Sequence, residues 1–322
     1  MSDLPPRPED EEFTEEPRGA GRMIARFFLL PLLVVIGAVG IFLVFNLMTF
    51  ERRTPRDYLQ EVRGGAANRR WQAAFELSRS LGNLPPEERA SLTAETLRIF
   101  ETLTPKRPDD VLVRRYLVLV LGRLGEKEAV PPLITAAQDP DPDTRLYAIW
   151  SLGKIGDPAG FDTVLAASQS EDAGVRKMAA YVLGQLGDPR AVPRLKVLAE
   201  DRVADVRWNA AIALAELGDG SGLPVLRSMI DRDALKRQAE LSSDQAEAAM
   251  INALKALSLL RDTQCLPQLE KLAKDDPNLR VREAARKAAE ATRGSATTRE
   301  SGTKTPHGAT LVLERPGALL IV

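Results

Sequence analysis

Arginine returns in this chain at a fixed interval, at Arg114, Arg145, Arg176 and Arg207, each 31 residues after the last. A guanidinium stays charged and carries five N–H donors in a planar fork, so such a row can do one of two things. It can bind anions at a surface, or it can satisfy carbonyls and carboxylates inside the protein. Weaker copies of the same frame add Arg70 and Arg282 to the row. Asp110, Asp141 and Asp172 each stand four residues ahead of an arginine and are natural partners or helix caps. A second group of residues keeps the same phase. One and five residues after the arginines stand Trp71 and Phe75, Arg115, Leu146 and Trp150, Lys177 and Tyr181, and Trp208 and Ile212. All 3 tryptophans of the chain fall at these two offsets. Aromatic side chains flanked by cations are common anchors of protein–protein contacts, which makes these residues a candidate partner-binding set.

Other chemistry is poorly supplied. The chain holds 1 histidine, His307, and 1 cysteine, Cys265. A His-rich metal site, a cysteine zinc site, a disulfide framework and a Ser/His/Asp triad are therefore all excluded. Cys265 lies between Gln264 and Leu266 in a helical stretch, where a buried, inert thiol is expected. No phosphate-binding, dinucleotide or serine-hydrolase signature is present, and neither a catalytic residue, a metal nor a cofactor is expected. With 44 basic against 45 acidic side chains the net charge is −1, which gives no general attraction to nucleic acid.

The elements that position these residues repeat with the arginine. Leu121-Gly122-Arg123-Leu124-Gly125 comes back at Leu152, Leu183 and Leu214 with the same step. Core positions fall one before and three, six, seven and ten after the arginine, the spacing of a helix with one buried side. The offsets of one and five lie opposite that side. Gly-Asp-Pro corners, as at Gly156-Asp157-Pro158 and Gly187-Asp188-Pro189, predict a helix stop, an N-cap and a first helical residue that needs no donor. Each unit thus reads as two antiparallel helices, and neither can bury its apolar stripe without stacked neighbours. The first copy is followed by a longer step, and a 12-residue insertion around Arg232–Gln245 precedes the sixth.

The run Val175-Arg176-Lys177-Met178-Ala179-Ala180-Tyr181-Val182-Leu183-Gly184-Gln185-Leu186-Gly187-Asp188 resembles HEAT repeats, specifically the short HEAT-like repeats named after phycobilisome lyases. The resemblance covers residues 55–294 and implies an all-α, right-handed α-solenoid of about seven helix pairs. It also implies that the offsets of one and five line the concave surface and that the arginines form a structural ladder. Val203 departs from the pattern, standing where an aspartate is usual. Related repeats serve scaffolds, pigment lyases, DNA glycosylases and an iron-dependent deoxyhypusine hydroxylase. The His-Glu iron ligands of the last have no counterpart in a chain with one histidine.

Ahead of the repeats, Phe27–Phe50 includes a run without charge from Phe27 to Met48. As a helix this run rises about 33 Å, enough for the hydrocarbon core of a bilayer. One transmembrane helix is expected at 27–50, with Pro31 in its first turn. Residues 1–26, rich in Pro, Glu and Asp, and residues 295–322 are expected to be disordered tails. Four arginines flank the span on either side, so the positive-inside rule leaves its orientation open, with an extracytoplasmic repeat domain at a bacterial inner membrane favoured. The resulting expectation is a membrane-anchored scaffold that binds a protein or peptide on its concave face. A HEAT-like lyase or other small-molecule enzyme, and a purely structural spacer, are the alternatives. The oligomeric state is not encoded in any visible pattern.

Overall fold

The computed structural model describes residues 28–49, 53–238 and 241–300. The N-terminal tail at 1–26, both ends of the expected span (Phe27 and Phe50), His307 and the tail from 301 onward lie outside the described residues. Among the described residues all regular structure is helical. The chain divides between Arg53 and Thr54 into two units.

The first unit contributes α1, Leu30–Thr49. Its 20 residues include no charged side chain, and Pro31 sits at the start, where a missing N–H is harmless. The described side chains, Pro31 to Val44, are almost all exposed, with Ile41 at 73%. They cover about 21 Å of helix, and no helix is, over the described residues, long and apolar enough to cross a membrane.

The second unit contains seven helix pairs. They are α2 (Pro55–Gly64) with α3 (Ala67–Ser80), α4 (Pro86–Thr102) with α5 (Pro108–Leu124), and α6 (Val130–Ala136) with α7 (Pro142–Ile155). Then follow α8 (Phe161–Ala167) with α9 (Ala173–Leu186), and α10 (Val192–Leu198) with α11 (Ala204–Glu216). The sixth pair is interrupted: α12 (Leu223–Met229) is followed by an extra helix, α13 (Arg232–Gln238), before α14 (Ser243–Leu260). The array closes with α15 (Leu266–Asp275) and α16 (Leu279–Glu300). α16 runs past Gly294, so the tail expected from Ser295 is still helical for its first six residues.

The corners follow from sequence. Gly125, Gly156, Gly187 and Gly218 close their helices at φ between 71° and 76°, a left-handed conformation that costs glycine nothing. Asp157, Asp188 and Asp219 then cap short 3-10 turns that lead into α8, α10 and α12. Asp141 and Asp172 cap α7 and α9 by accepting backbone N–H bonds. Val203 supplies no side-chain cap to α11. The second helices pack on one another in sequence, α3 on α5, α5 on α7, α7 on α9 and α9 on α11. A small residue makes that approach possible: a Cβ on Gly153 would lie 2.7 Å from Val182 Cγ1 of the next helix.

The arginines join neighbouring units. Arg176 bonds both oxygens of Asp201 at 2.8 and 3.0 Å, and reaches back to the carbonyls of Ser170 and Glu171. Burial pushes the Asp201 carboxyl up, but the Arg176 bonds, the Val203 N–H and the nearby guanidinium charges together outweigh it and hold the group below the ordinary aspartate value. Arg114 bonds Asp139 at 2.7 Å, and Arg70 bonds Asp110 at 3.2 Å. Arg145, Arg207 and Arg282 donate to the carbonyls of Asp139, Asp201 and Asp276 instead. Each of these arginines thus finds a carboxylate or a backbone carbonyl as its partner.

Candidate partner-binding face

The residues one and five after each arginine all lie on the second helices. Trp71 and Phe75, on α3, are half-buried and meet Tyr116 of α5. The Trp71 and Tyr116 rings stack with centroids 6.4 Å apart, and Phe75 meets Tyr116 edge-on at 5.2 Å. The Arg79 guanidinium lies 5.3 Å from the Phe75 centroid. Such contacts fix ring orientation while leaving one side of the cluster open.

On α5, Arg115 is held by two carboxylates of the next repeat, Asp141 and Asp143, each at 2.9 Å. The hydrogen bond from Arg115 outweighs its burial and raises the guanidinium above its ordinary value, so it stays charged. Leu146 and Trp150 on α7 are half-buried, with Tyr147 between them. Burial, then the Asp143 charge, pushes the Tyr147 phenol above its usual range. On α9, Lys177 pairs with Asp205 at 3.7 Å, and Tyr181 is half-buried. The first four repeats therefore carry half-buried aromatic and aliphatic side chains, among which Arg115 and Lys177 are paired with carboxylates of the following repeat.

The fifth repeat differs from expectation. Trp208 is wholly buried and Ile212 is 3% exposed, so neither lines an open groove. Both belong to a buried cluster that includes Leu235 of α13 and Ala246, Ala249 and Met250 of α14. Leu235 is the residue that the insertion adds to this cluster, while α14 itself packs on α11. The burial is imperfect, because Trp208 Nε1 has no hydrogen-bond partner.

Three residues were not anticipated. Tyr116 and Tyr147 sit two residues after their arginines, an offset that the pattern does not mark as exposed or buried. The only signal was their recurrence at one position in two successive units. Glu216 ends α11 against α9, its Oε2 2.5 Å from where a Cβ on Gly184 would stand. Burial alone pushes its carboxyl up to about 7. Burial, then the Glu216 charge, raises the neighbouring Tyr181 phenol.

Among the described residues no group of three or more His, Cys, Asp or Glu side chains could hold a metal. Cys265 is buried, donates its S–H to the Asp262 carbonyl at 3.1 Å, and has its thiol pushed up to about 11 by burial.

Residues 102–173 and 161–242 match the family model described as HEAT repeats. The match covers the middle of the chain, and further helix pairs pack on either side of it. No curated protein sequence matches the chain. Among solved structures it is similar to the complex of CpcE and CpcF of phycocyanin lyase from a Nostoc species, at 18% identity over 76% of this chain and 96% of that one, with a TM-score of 0.46. It is also similar to YibA of E. coli, at 16% identity over 72% and 81% of the two chains, TM-score 0.47. Human deoxyhypusine hydroxylase in complex with glycerol aligns at 18% identity over 74% and 96%, TM-score 0.30.

Proposed function

We propose that this chain is a protein-interaction scaffold, tethered to a membrane by α1, that binds a peptide or helix of a partner along the second helices of its first four repeats. The observation that carries the reading is the run Trp71, Phe75, Tyr116, Leu146, Trp150 and Tyr181, half-buried in register on successive helices. Packing of the array does not require large aromatics there, and half-open aromatic side chains are what partner helices use as anchors. Because Arg115 and Lys177 already have carboxylate partners, the contact would be chiefly apolar. The tether rests on α1, whose 20 uncharged residues rise about 30 Å.

The test is recovery of partners from membranes with the wild-type chain and with Trp150→Ala. A half-buried tryptophan contributes modestly to folding, so the variant should unfold within about 1 kcal/mol of wild type. It should bind about thirtyfold more weakly, a loss of about 2 kcal/mol. Both chains should stay with the membrane pellet after carbonate washing. Equal recovery of the same partners by both chains, or release of the wild type by the wash, would remove the corresponding half of the proposal.

A further inference from the structure

The same face continues into the sixth and seventh repeats, beyond the covered Trp208, and there its chemistry changes. Between α14 and α16 lies a cleft of about 480 Å³. Its floor is aliphatic, formed by Ile251, Leu254, Ala284 and Ala288, and Leu279 stands at its edge with 71% of its surface exposed. Lys255, Arg280 and Lys287 line the cleft with a single acid, Glu283. Glu283 is shared between Arg286 and Lys287, at 2.9 and 3.4 Å. Lys255 and Arg280 have no carboxylate partner among the described residues. This is the opposite of the first four repeats, where Arg115 and Lys177 are neutralised internally.

We infer that this cleft is a second docking position, for an acidic segment of a protein partner that also carries aliphatic side chains. Charge complementarity selects the acid: uncompensated Lys255 and Arg280 favour carboxylates brought from outside, and like charges would be repelled. The aliphatic floor selects leucine-type side chains over nucleotides, since single-stranded nucleic acid needs aromatic platforms for its bases and the cleft has none. The inference goes beyond the aromatic groove and does not depend on it, because buried Trp208 separates the two.

The probe is a short fluorescein-labelled helical peptide with leucine at every third or fourth position and glutamate elsewhere. Its control carries lysine in place of glutamate, and both are titrated against the full chain in detergent. The acidic peptide should bind and the basic one should not, and binding should weaken as salt is added. Lys255→Glu with Arg280→Glu should weaken the acidic peptide about tenfold or more and admit the basic one. Leu279→Ser should weaken the acidic peptide with little effect on its salt dependence. Equal binding of both peptides, or no response to the charge reversal, overturns the inference. So does preferential binding of phosphatidylglycerol vesicles or of a single-stranded RNA oligonucleotide with the same dependence on Lys255 and Arg280, each of which would assign the cleft to that ligand. Trp150→Ala in the same titration separates the two sites: it should leave the acidic peptide unaffected whether or not the aromatic groove is real.

Discussion

Trp150 and Trp208 occupy the same region of their repeats, on second helices two units apart, and yet one is half open and the other sealed. From Pro108 to about Gly218 the array repeats at one step, and the large side chains on this face stay half open only as far as Tyr181. The following part contains the insertion, and Trp208 shares one buried cluster with Leu235 of α13 and with Ala246, Ala249 and Met250 of α14, the helix that packs on α11. Periodicity decides which side of a helix a residue is on. What lies over that side depends on chain elsewhere, and a short insertion is enough to turn a surface into a core.

The comparison breaks most visibly at Trp208. Trp208→Ala should cost about 3–5 kcal/mol in denaturant unfolding, as for a core aromatic, against about 1 kcal/mol or less for Trp150→Ala. Trp208→Phe should be tolerated far better, because it removes an indole N–H that is buried without a partner. Equal losses for the two tryptophans would mean that the insertion does not cover the fifth repeat in solution.

The arginines offer a contrast of intermediate size. Arg176 holds a carboxylate with both donors of its fork, whereas Arg207 reaches only carbonyls. Arg176→Ala strands Asp201 and should cost about 3 kcal/mol. Arg207→Ala should cost about 1 kcal/mol. Urea titration of both variants checks the ratio, and a loss at Arg176 no larger than at Arg207 would show that the pair with Asp201 adds nothing.

Glu216 sharpens the boundary between the two halves through pH. Its folded-state value of about 7 lies above the ordinary 4.5, so the fold favours the protonated carboxyl and opposes the charge. The destabilisation is absent below pH 4.5, builds as pH rises toward 7, and is complete above it. The difference corresponds to about 3 kcal/mol at most. Glu216→Gln should therefore raise stability at pH 8 by about 2 kcal/mol and change nothing at pH 4. A gain independent of pH would point to packing against Gly184 instead.

The smallest effect is expected at Arg261, which takes a left-handed φ of 51° where the regular repeats place glycine. Arg261→Gly should relieve that strain, raising the unfolding free energy in urea titration by somewhat less than about 1 kcal/mol. A loss of stability would mean that the arginine side chain makes up for its backbone.

Much of this arrangement was legible in the residues. The repeat step, the glycine corners, the aspartate caps at Asp141 and Asp172 and the place of the insertion are local signals, and local signals survive without tertiary context. The carboxylates that meet the arginines were less so. Asp139 and Asp201 lie 25 residues after Arg114 and Arg176, in the turn of the next unit, while Asp141 and Asp172 caught the eye by being four residues ahead. The burial of Trp208 and Ile212 was hidden for the reason given above. Glu216 was hidden because its burial comes from the close approach at Gly184, a distance between helices that no spacing along one helix contains.

The arginine bonds have a consequence for how such a chain can change length. Arg145, Arg176 and Arg207 each donate to a carbonyl six residues earlier, inside their own unit. A segment cut from one corner glycine to the next therefore carries the donor and its acceptor together. Copying or deleting one such segment in the gene would leave each guanidinium its backbone acceptor, whereas the carboxylate partners of Arg114 and Arg176 come from the following unit. The number of units is then an adjustable quantity, free to drift by duplication and loss, up to the insertion at Arg232. There the pattern is no longer interchangeable: Arg232 reaches 44 residues ahead to Asp276, and a copied unit placed between them would separate the pair.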